Sequence, residues 1–127
     1  MIIIDTSALV AIVLGEPQAK RCLNAVGSEP KLVMSAATLA EALLVSRRRG
    51  RGDEMRELIE GLDVEIETVT PAVAERVADA HFRWGRGSQT NALNFGDCFA
   101  YALARERDCP LLFIGDDFSR TDIVSAL

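Results

Sequence analysis

Two short segments of the chain consist only of apolar residues, and each is followed closely by acidic residues. Ile2 to Ile4 precedes Asp5, and Leu111 to Ile114 precedes Gly115 and the pair Asp116–Asp117. An unbroken aliphatic run of this kind is typical of a strand buried on both faces, as strands of parallel sheets are. Because parallel strands end at the same edge of a sheet, and ligands bind outside those ends, the pattern predicts acidic side chains that converge on one site.

The segments between these two strands are predicted to be mostly helical. The predicted helices are residues 6–14, 18–26, 36–49, 53–61, 71–84 and 95–107, with two further strands at 32–34 and 64–69, the latter alternating as at a sheet edge. Residues 85–91 are turn-rich and are predicted to form a mobile loop, and the tail from Thr121 is a candidate for a last short strand. Strands that alternate with helices predict an α/β fold in three layers, a mainly parallel sheet flanked by helices, in a single domain over 1–127.

The charge balance argues against a protein that holds nucleic acid by its overall field. The formal net charge is −5, whereas bulk attraction to phosphates needs a positive surface. The basic residues are nevertheless clustered, because Arg83 and Arg86 flank Trp84 and four arginines fall close together at positions 47, 48, 49 and 51. These patches could hold a nucleic-acid backbone, although the second also fits a solvated helix end.

Cysteine usage and the start of the chain indicate a cytoplasmic protein with no membrane segment. The three cysteines form no C-x-x-C pair, which fits a reducing compartment better than a disulfide framework. The sequence opens without a basic leader, and its apolar runs are too short to span a bilayer. The apolar faces of residues 8–14 and 36–45 exceed what a small domain easily buries, so we expect them to contribute to a dimer contact or a groove for a partner helix.

Glu41 and Asp97 extend the predicted acidic site. Glu41 is the only charged residue between Lys31 and Arg47, and a carboxylate on an apolar helix face is costly unless something pairs with it. A metal ion would satisfy it; a capping interaction with Thr38 or a buried ion pair from another element are the alternatives. Asp97 lies at the start of a predicted helix, where helix-dipole stabilisation is the simpler explanation, just as N-capping is for Asp5.

The available side chains restrict the chemistry of such a site. Clustered carboxylates with no compensating lysine suit Mg²⁺ or Mn²⁺. Zinc is disfavoured because His81 is the only histidine and no cysteine pair exists, and the same shortage excludes a metal-free ribonuclease that uses two histidines. No P-loop, nucleophile-elbow serine or dinucleotide-binding glycine pattern is present.

Three segments of the sequence resemble the motifs of PIN-domain toxins of the VapC type. They are the opening Ile-Asp-Thr-Ser-Ala-Leu at 4–9, the stretch Leu-Asn-Phe-Gly-Asp-Cys-Phe-Ala-Tyr-Ala at 93–102, and the closing Leu-Leu-Phe-Ile-Gly-Asp-Asp-Phe at 111–118. Together with Glu41 the resemblance spans the whole chain. It implies a metal-dependent endoribonuclease that cleaves RNA, a homodimer, and a cognate VapB-type antitoxin that inhibits it.

By the same resemblance Asp5, Glu41 and Asp97 form the acidic core of the site, with Mg²⁺ or Mn²⁺ activating a water for attack on an RNA phosphate. The fourth acid is either Asp116 or Asp117, and Asp117 is favoured because it stands beside Phe118, whose ring is expected to pack down and fix the turn. Ser7 or Thr6 could orient a water or a phosphate oxygen, although helix capping suits Thr6 better. The alternatives are a catalytically silent PIN-like binding module, or a phosphoesterase or DNase that uses the same pocket.

Overall fold

The computed structural model describes residues 1–127 and contains a four-stranded sheet, all parallel, with the strand order β3-β2-β1-β4. The strands are β1 (Ile2–Ile4), β2 (Leu32–Ser35), β3 (Glu65–Glu67) and β4 (Leu111–Leu112). The helices are α1 (Thr6–Leu14), α2 (Ala19–Gly27), α3 (Ala36–Arg48), α4 (Gly52–Gly61), α5 (Pro71–Trp84) and α6 (Asp97–Arg107), with a 3₁₀ turn at Asp117–Arg120. The predicted three-layer α/β fold is confirmed.

The two faces of the sheet support separate halves of the core. Ile3 of β1 packs with residues of α5 and α6, whereas its neighbour Ile4 packs with residues of the first four helices. This division follows from strand geometry, because successive side chains point to opposite faces. Both faces need apolar cover, which explains why the central strand carries no polar residue before Asp5.

Local capping chemistry fixes the helix boundaries next to the sheet. Asp5 is the N-cap of α1, and Gly15 ends that helix in the left-handed region at φ 65°. Ser35 caps α3 by accepting a hydrogen bond from the Ala37 backbone N–H at 3.2 Å. The six predicted helices are confirmed with small shifts at their ends, and β3 lies at an edge of the sheet as predicted.

Three expectations at the ends of elements were wrong. β4 has two residues rather than four, because the Ile114 backbone N–H bonds to the Ser7 hydroxyl instead of continuing the ladder. Helix α6 begins at Asp97 rather than Phe95, so Phe95 lies outside its apolar stripe and is 65% exposed. The tail contributes one isolated bridge, Ser125 to Leu111, rather than a strand.

Exposed apolar surface is not concentrated where the sequence suggested. The predicted apolar faces of α1 and α3 are mostly half-buried against the core, with Leu44 the main exposed residue. The most exposed large apolar side chain is instead Phe82 on α5, at 90%, followed by Phe95 and Val124. No helix combines the length and apolarity needed to cross a bilayer.

Candidate active site

The topology places Asp5 at the point where the strand order reverses. β1 lies between β2 and β4, and the chain builds β2 and β3 on one side before it returns to add β4 on the other. In open parallel sheets the crevice outside the carboxyl ends of the strands at such a switch point is where ligands bind. Asp5 directly follows β1, so its carboxylate lies in this crevice.

Asp5 is held by its own helix and linked to the end of β4. Its Oδ2 accepts hydrogen bonds from the Ser7 backbone N–H at 3.0 Å and from the Ser7 hydroxyl at 2.6 Å. The same hydroxyl accepts a bond from the Ile114 N–H at 2.9 Å. Burial raises the pKa of Asp5, while the Ser7 bonds oppose that shift and the charge of Glu41 adds to it. N-capping is therefore real, and the second oxygen, Oδ1, is left without a hydrogen bond.

Asp97 is fixed by a reciprocal cap at the start of α6. The Asn94 backbone N–H donates to Asp97 Oδ2 at 3.0 Å, and the Asp97 N–H donates to Asn94 Oδ1 at 2.8 Å. Burial raises the pKa of Asp97 to about 7; the bond from Asn94 opposes that rise, and the charges of Asp5, Asp117 and Glu41 add to it. These interactions bring the four acids into one electrostatic cluster.

Glu41 points toward the same place from α3. A Cβ added at Gly96 would lie 2.5 Å from Glu41 Oε2, so the carboxylate lies against the backbone that immediately precedes Asp97. Neither alternative considered for Glu41 is present. The Thr38 hydroxyl has no hydrogen-bond partner, and Glu41 takes part in no ion pair.

The two acids of the closing segment are neighbours at the protein surface. Both side chains are exposed; Asp116 immediately precedes the 3₁₀ turn and Asp117 is its first residue. Phe118 is 2% exposed and packs on Phe113 with ring centroids 5.0 Å apart, as expected of the residue that anchors the turn. The charge of Asp117 is among those that raise the pKa of Asp97.

The cluster has no internal counter-charge. None of the seven ion pairs in the structure includes Asp5, Glu41, Asp97 or either closing acid. No three of these groups converge closely enough to hold one ion as they stand. Uncompensated carboxylates repel one another, so the side chains are expected to stay apart.

The hydroxyl residues take different positions from those expected. Thr6 does not cap α1, because Asp5 does, and the Thr6 hydroxyl is buried and donates to the Thr38 carbonyl at 3.3 Å. Ser7 bonds Asp5, as described above. Sequence reasoning missed the positioning parts of Asn94 and Gly96. The capping-box spacing Asn94-x-x-Asp97 could have predicted the hydrogen bonds of Asn94. No sequence pattern predicted Gly96, whose lack of a side chain matters only because Glu41 packs against it.

Comparisons with a family model and with curated proteins identify the same family. Residues 2–124 match the family described as the PIN domain. The chain is 42% identical over 125 residues to ribonuclease VapC42 of Mycobacterium tuberculosis, covering 95% of each protein, and 39% identical over 126 residues to ribonuclease VapC of Mycolicibacterium smegmatis, covering 97% of this chain and 98% of that one.

Two solved structures share its fold. The crystal structure of VapC20 of Mycobacterium tuberculosis, described as a sarcin-ricin loop cleaving toxin, aligns with a TM-score of 0.81 at 21% identity, over 98% of this chain and 97% of that one. A chain of a toxin–antitoxin complex from Klebsiella pneumoniae aligns with a TM-score of 0.76 at 19% identity, over 100% of this chain and 98% of that one.

Proposed function

The chain belongs to the PIN-domain family, and within it to the VapC ribonucleases, and from this premise we propose that the acidic cluster is a Mg²⁺ site for hydrolysis of RNA phosphodiesters. The observation that carries the proposal is a set of four carboxylates, gathered at the switch point of the sheet, with no cation of the protein beside them. Oxygen-only donors with surplus negative charge fit Mg²⁺ or Mn²⁺.

The donor set divides into a fixed pair and an adjustable pair. Asp5 and Asp97 are buried, at 4% and 7% exposure, and each is held through Oδ2 by hydrogen bonds that leave Oδ1 free. Glu41 is half-buried and Asp117 is exposed. Asp5 and Asp97 are therefore the pre-oriented members of the proposed donor set, and Glu41 and Asp117 have more freedom to reorient.

The residues around the cluster have supporting parts in the same proposal. A bound divalent ion supplies a lowered pKa for a water molecule and stabilisation of negative charge on the phosphate. Ser7 and Asn94 keep the two fixed carboxylates oriented, and Gly96 leaves room for Glu41. Thr6, whose hydroxyl is turned toward α3, has no part in orienting a water or a phosphate.

We further propose RNA as the substrate, a VapB-type antitoxin as the inhibitory partner, and a homodimer as the active form. The support for the antitoxin is that two solved structures of the same fold are described as a toxin–antitoxin complex and as VapBC2 of Rickettsia felis bound to promoter DNA. The acidic pocket would attract a basic side chain from such a partner. The half-buried apolar residues of α1 and α3 are the surfaces proposed for the two contacts.

A substrate comparison tests the activity. The purified chain, given Mg²⁺, is expected to cleave RNA, and to leave single-stranded DNA of the same sequence and a simple aryl phosphodiester intact. Preference for DNA or the phosphodiester would replace the proposal with a different hydrolase that uses the same pocket. Mg²⁺-dependent binding without cleavage of any substrate would instead identify a silent binding module.

A further inference from the structure

A hollow beside the C-terminal end of α5 has no part in the functions described so far. It has a volume of about 630 Å³, is open to solvent, and is lined by His81, Phe82, Arg83, Arg86, Gly87, Ser88 and Gln89. We refer to it as the basic hollow. It combines two arginines with an exposed aromatic ring in a protein whose net charge is −5.

Both arginines of the basic hollow are exposed, and only Arg83 has an ion-pair partner, at long range. Arg86 is exposed and forms no ion pair. Arg83 is 4.0 Å from Asp122, at the limit for an ion pair, and its guanidinium lies over the Trp84 ring at 4.5 Å from the centroid. That stacking fixes the direction of Arg83 while its hydrogen-bond donors stay available.

Phe82 presents an unpartnered ring on the same rim. A phenylalanine that is 90% exposed leaves nearly all of its apolar area in water, and it is joined by Phe95 in lining an adjacent apolar groove. Scattered exposed apolar residues need no explanation, but an exposed aromatic ring in the same hollow as two exposed arginines matches a recurring requirement of single-stranded nucleic-acid binding, which is a stacking platform beside phosphate contacts.

Hydrogen bonds connect the basic hollow to the acidic cluster. The Trp84 carbonyl accepts from the Leu93 N–H at 3.0 Å, and the Arg86 N–H donates to the Leu93 carbonyl at 2.9 Å. Leu93 is followed directly by Asn94, which holds Asp97. On the far side of the loop the Arg120 guanidinium donates to the Thr90 carbonyl at 3.1 Å, which ties the loop to the 3₁₀ turn that begins at Asp117. The hollow therefore has a fixed position relative to the acids.

We propose that the basic hollow binds an unpaired stretch of RNA next to the scissile phosphodiester, with Arg83 and Arg86 on backbone phosphates and Phe82 stacked on a base. The inference rests on the proposed function, because it takes RNA as the substrate. Phosphate contacts supply attraction that the acidic body of the protein lacks. A base is accessible to the Phe82 ring only when it is unpaired, so the hollow selects single strands, loops or bulges over duplex.

Binding measured without cleavage tests this inference. Fluorescein-labelled single-stranded RNA is titrated with the full chain in EDTA and followed by anisotropy. Phe82→Ala is expected to weaken binding on the order of tenfold, as loss of one stacked base would. Arg86→Gln is expected to weaken binding by a similar factor and to reduce the slope of log affinity against log salt by about 1. A duplex of the same sequence should bind more weakly than the single strand.

Two exposed side chains that are distant in sequence from the basic hollow provide matched controls. Arg56→Gln removes an exposed, unpaired arginine on α4, and Leu23→Ala removes an exposed apolar side chain on α2; both should bind RNA like the wild type. Unchanged affinity in Phe82→Ala and Arg86→Gln would overturn the inference. If Phe82→Ala instead changed only the sedimentation of the protein, the surface would belong to a protein contact, which also overturns it. Loss of binding in these variants supports it even if Mg²⁺ produced no cleavage, a result that would count against the proposed function alone.

Discussion

Two sites along α6 differ in whether the protein neutralises their carboxylates. At the start of the helix, Asp97 lies among Asp5, Glu41 and Asp117 with no positive charge of the protein near. Farther along, Tyr101 donates to Asp122 at 2.6 Å and itself accepts from the Trp84 indole N–H at 2.8 Å. Arg83 and Arg105 approach the same carboxylate at 4.0 and 3.9 Å.

The difference separates a structural carboxylate from a candidate ligand. Asp122 finds its hydrogen-bond donor and its cations within the chain, and burial together with the bond to Asp122 raises the pKa of the Tyr101 hydroxyl, so that it stays a donor. Asp5 and Asp97 have hydrogen bonds that orient them, but no ion pair cancels the charge of any acid in the cluster. A carboxylate cluster that is oriented but not neutralised is what a site for an external cation requires.

The largest expected effect is on catalysis. Asp97→Asn preserves the shape of the side chain and removes one charge from the cluster, so Mg²⁺-dependent RNA cleavage should fall about 1000-fold, or about 4 kcal/mol. Asp122→Asn is the matched control and should keep cleavage within a few-fold of the wild type. Single-turnover cleavage rates measure both. Similar losses in the two variants would erase the distinction between the two sites.

The next effect concerns stability without metal. Because burial raises the pKa of Asp97 to about 7, the folded protein holds a proton on this carboxyl that the unfolded chain has already released above its ordinary pKa of about 4. The unfolded state therefore binds fewer protons in this window, and stability falls as pH rises. Between about pH 5 and 8 the loss is on the order of 3 kcal/mol, at about 1.36 kcal/mol per pKa unit.

Urea unfolding in EDTA across that range measures the loss. In Asp97→Asn most of this pH dependence should disappear, while Asp122→Asn should retain it. A wild-type stability that rises from pH 5 to 8 would show that burial and repulsion at Asp97 are not the dominant contributions.

Adding the cation should reverse part of that destabilisation. Mg²⁺ at about 100 times its dissociation constant stabilises a protein that binds it only when folded by about 2.7 kcal/mol, a shift on the order of 10 °C for a domain of this size. Asp5→Asn should melt at a higher temperature than the wild type in EDTA, because one repelling charge is gone, yet gain little from Mg²⁺. Differential scanning fluorimetry compares the two. Equal Mg²⁺ shifts would remove Asp5 from the ligand set.

The smallest effect distinguishes the adjacent acids of the closing segment. Because the charge of Asp117 is among those that raise the pKa of Asp97, Asp117→Asn should reduce Mg²⁺-dependent cleavage on the order of tenfold, about 1.4 kcal/mol. Asp116→Asn should cost little. A larger loss of cleavage in Asp116→Asn than in Asp117→Asn would make Asp116 the fourth acid of the site. Small losses in both variants would leave a site of Asp5, Glu41 and Asp97.

Much of the fold could be predicted because short-range rules control it. Unbroken apolar runs marked the buried strands, and Ser35 and Pro71 marked helix starts. The rules failed where a long-range bond replaced the local pattern. The Ile114 backbone N–H bonds to Ser7, 107 residues earlier in the chain, instead of extending β4. Phe95 fits the apolar period of α6 but lies before the first residue of the helix, Asp97.

The sequence by itself determined which acids lie at strand ends and helix starts, because those positions follow from local pattern and from the common direction of parallel strands. Only the tertiary structure decided how they relate to one another. It placed Glu41 against Gly96 and brought the charge of Asp117 to act on Asp97. It also brought Arg83, Arg86 and Phe82 to one hollow at the end of α5. Charges interact through space over a few ångströms, and distances between segments far apart in the chain are set by packing, which no local pattern records.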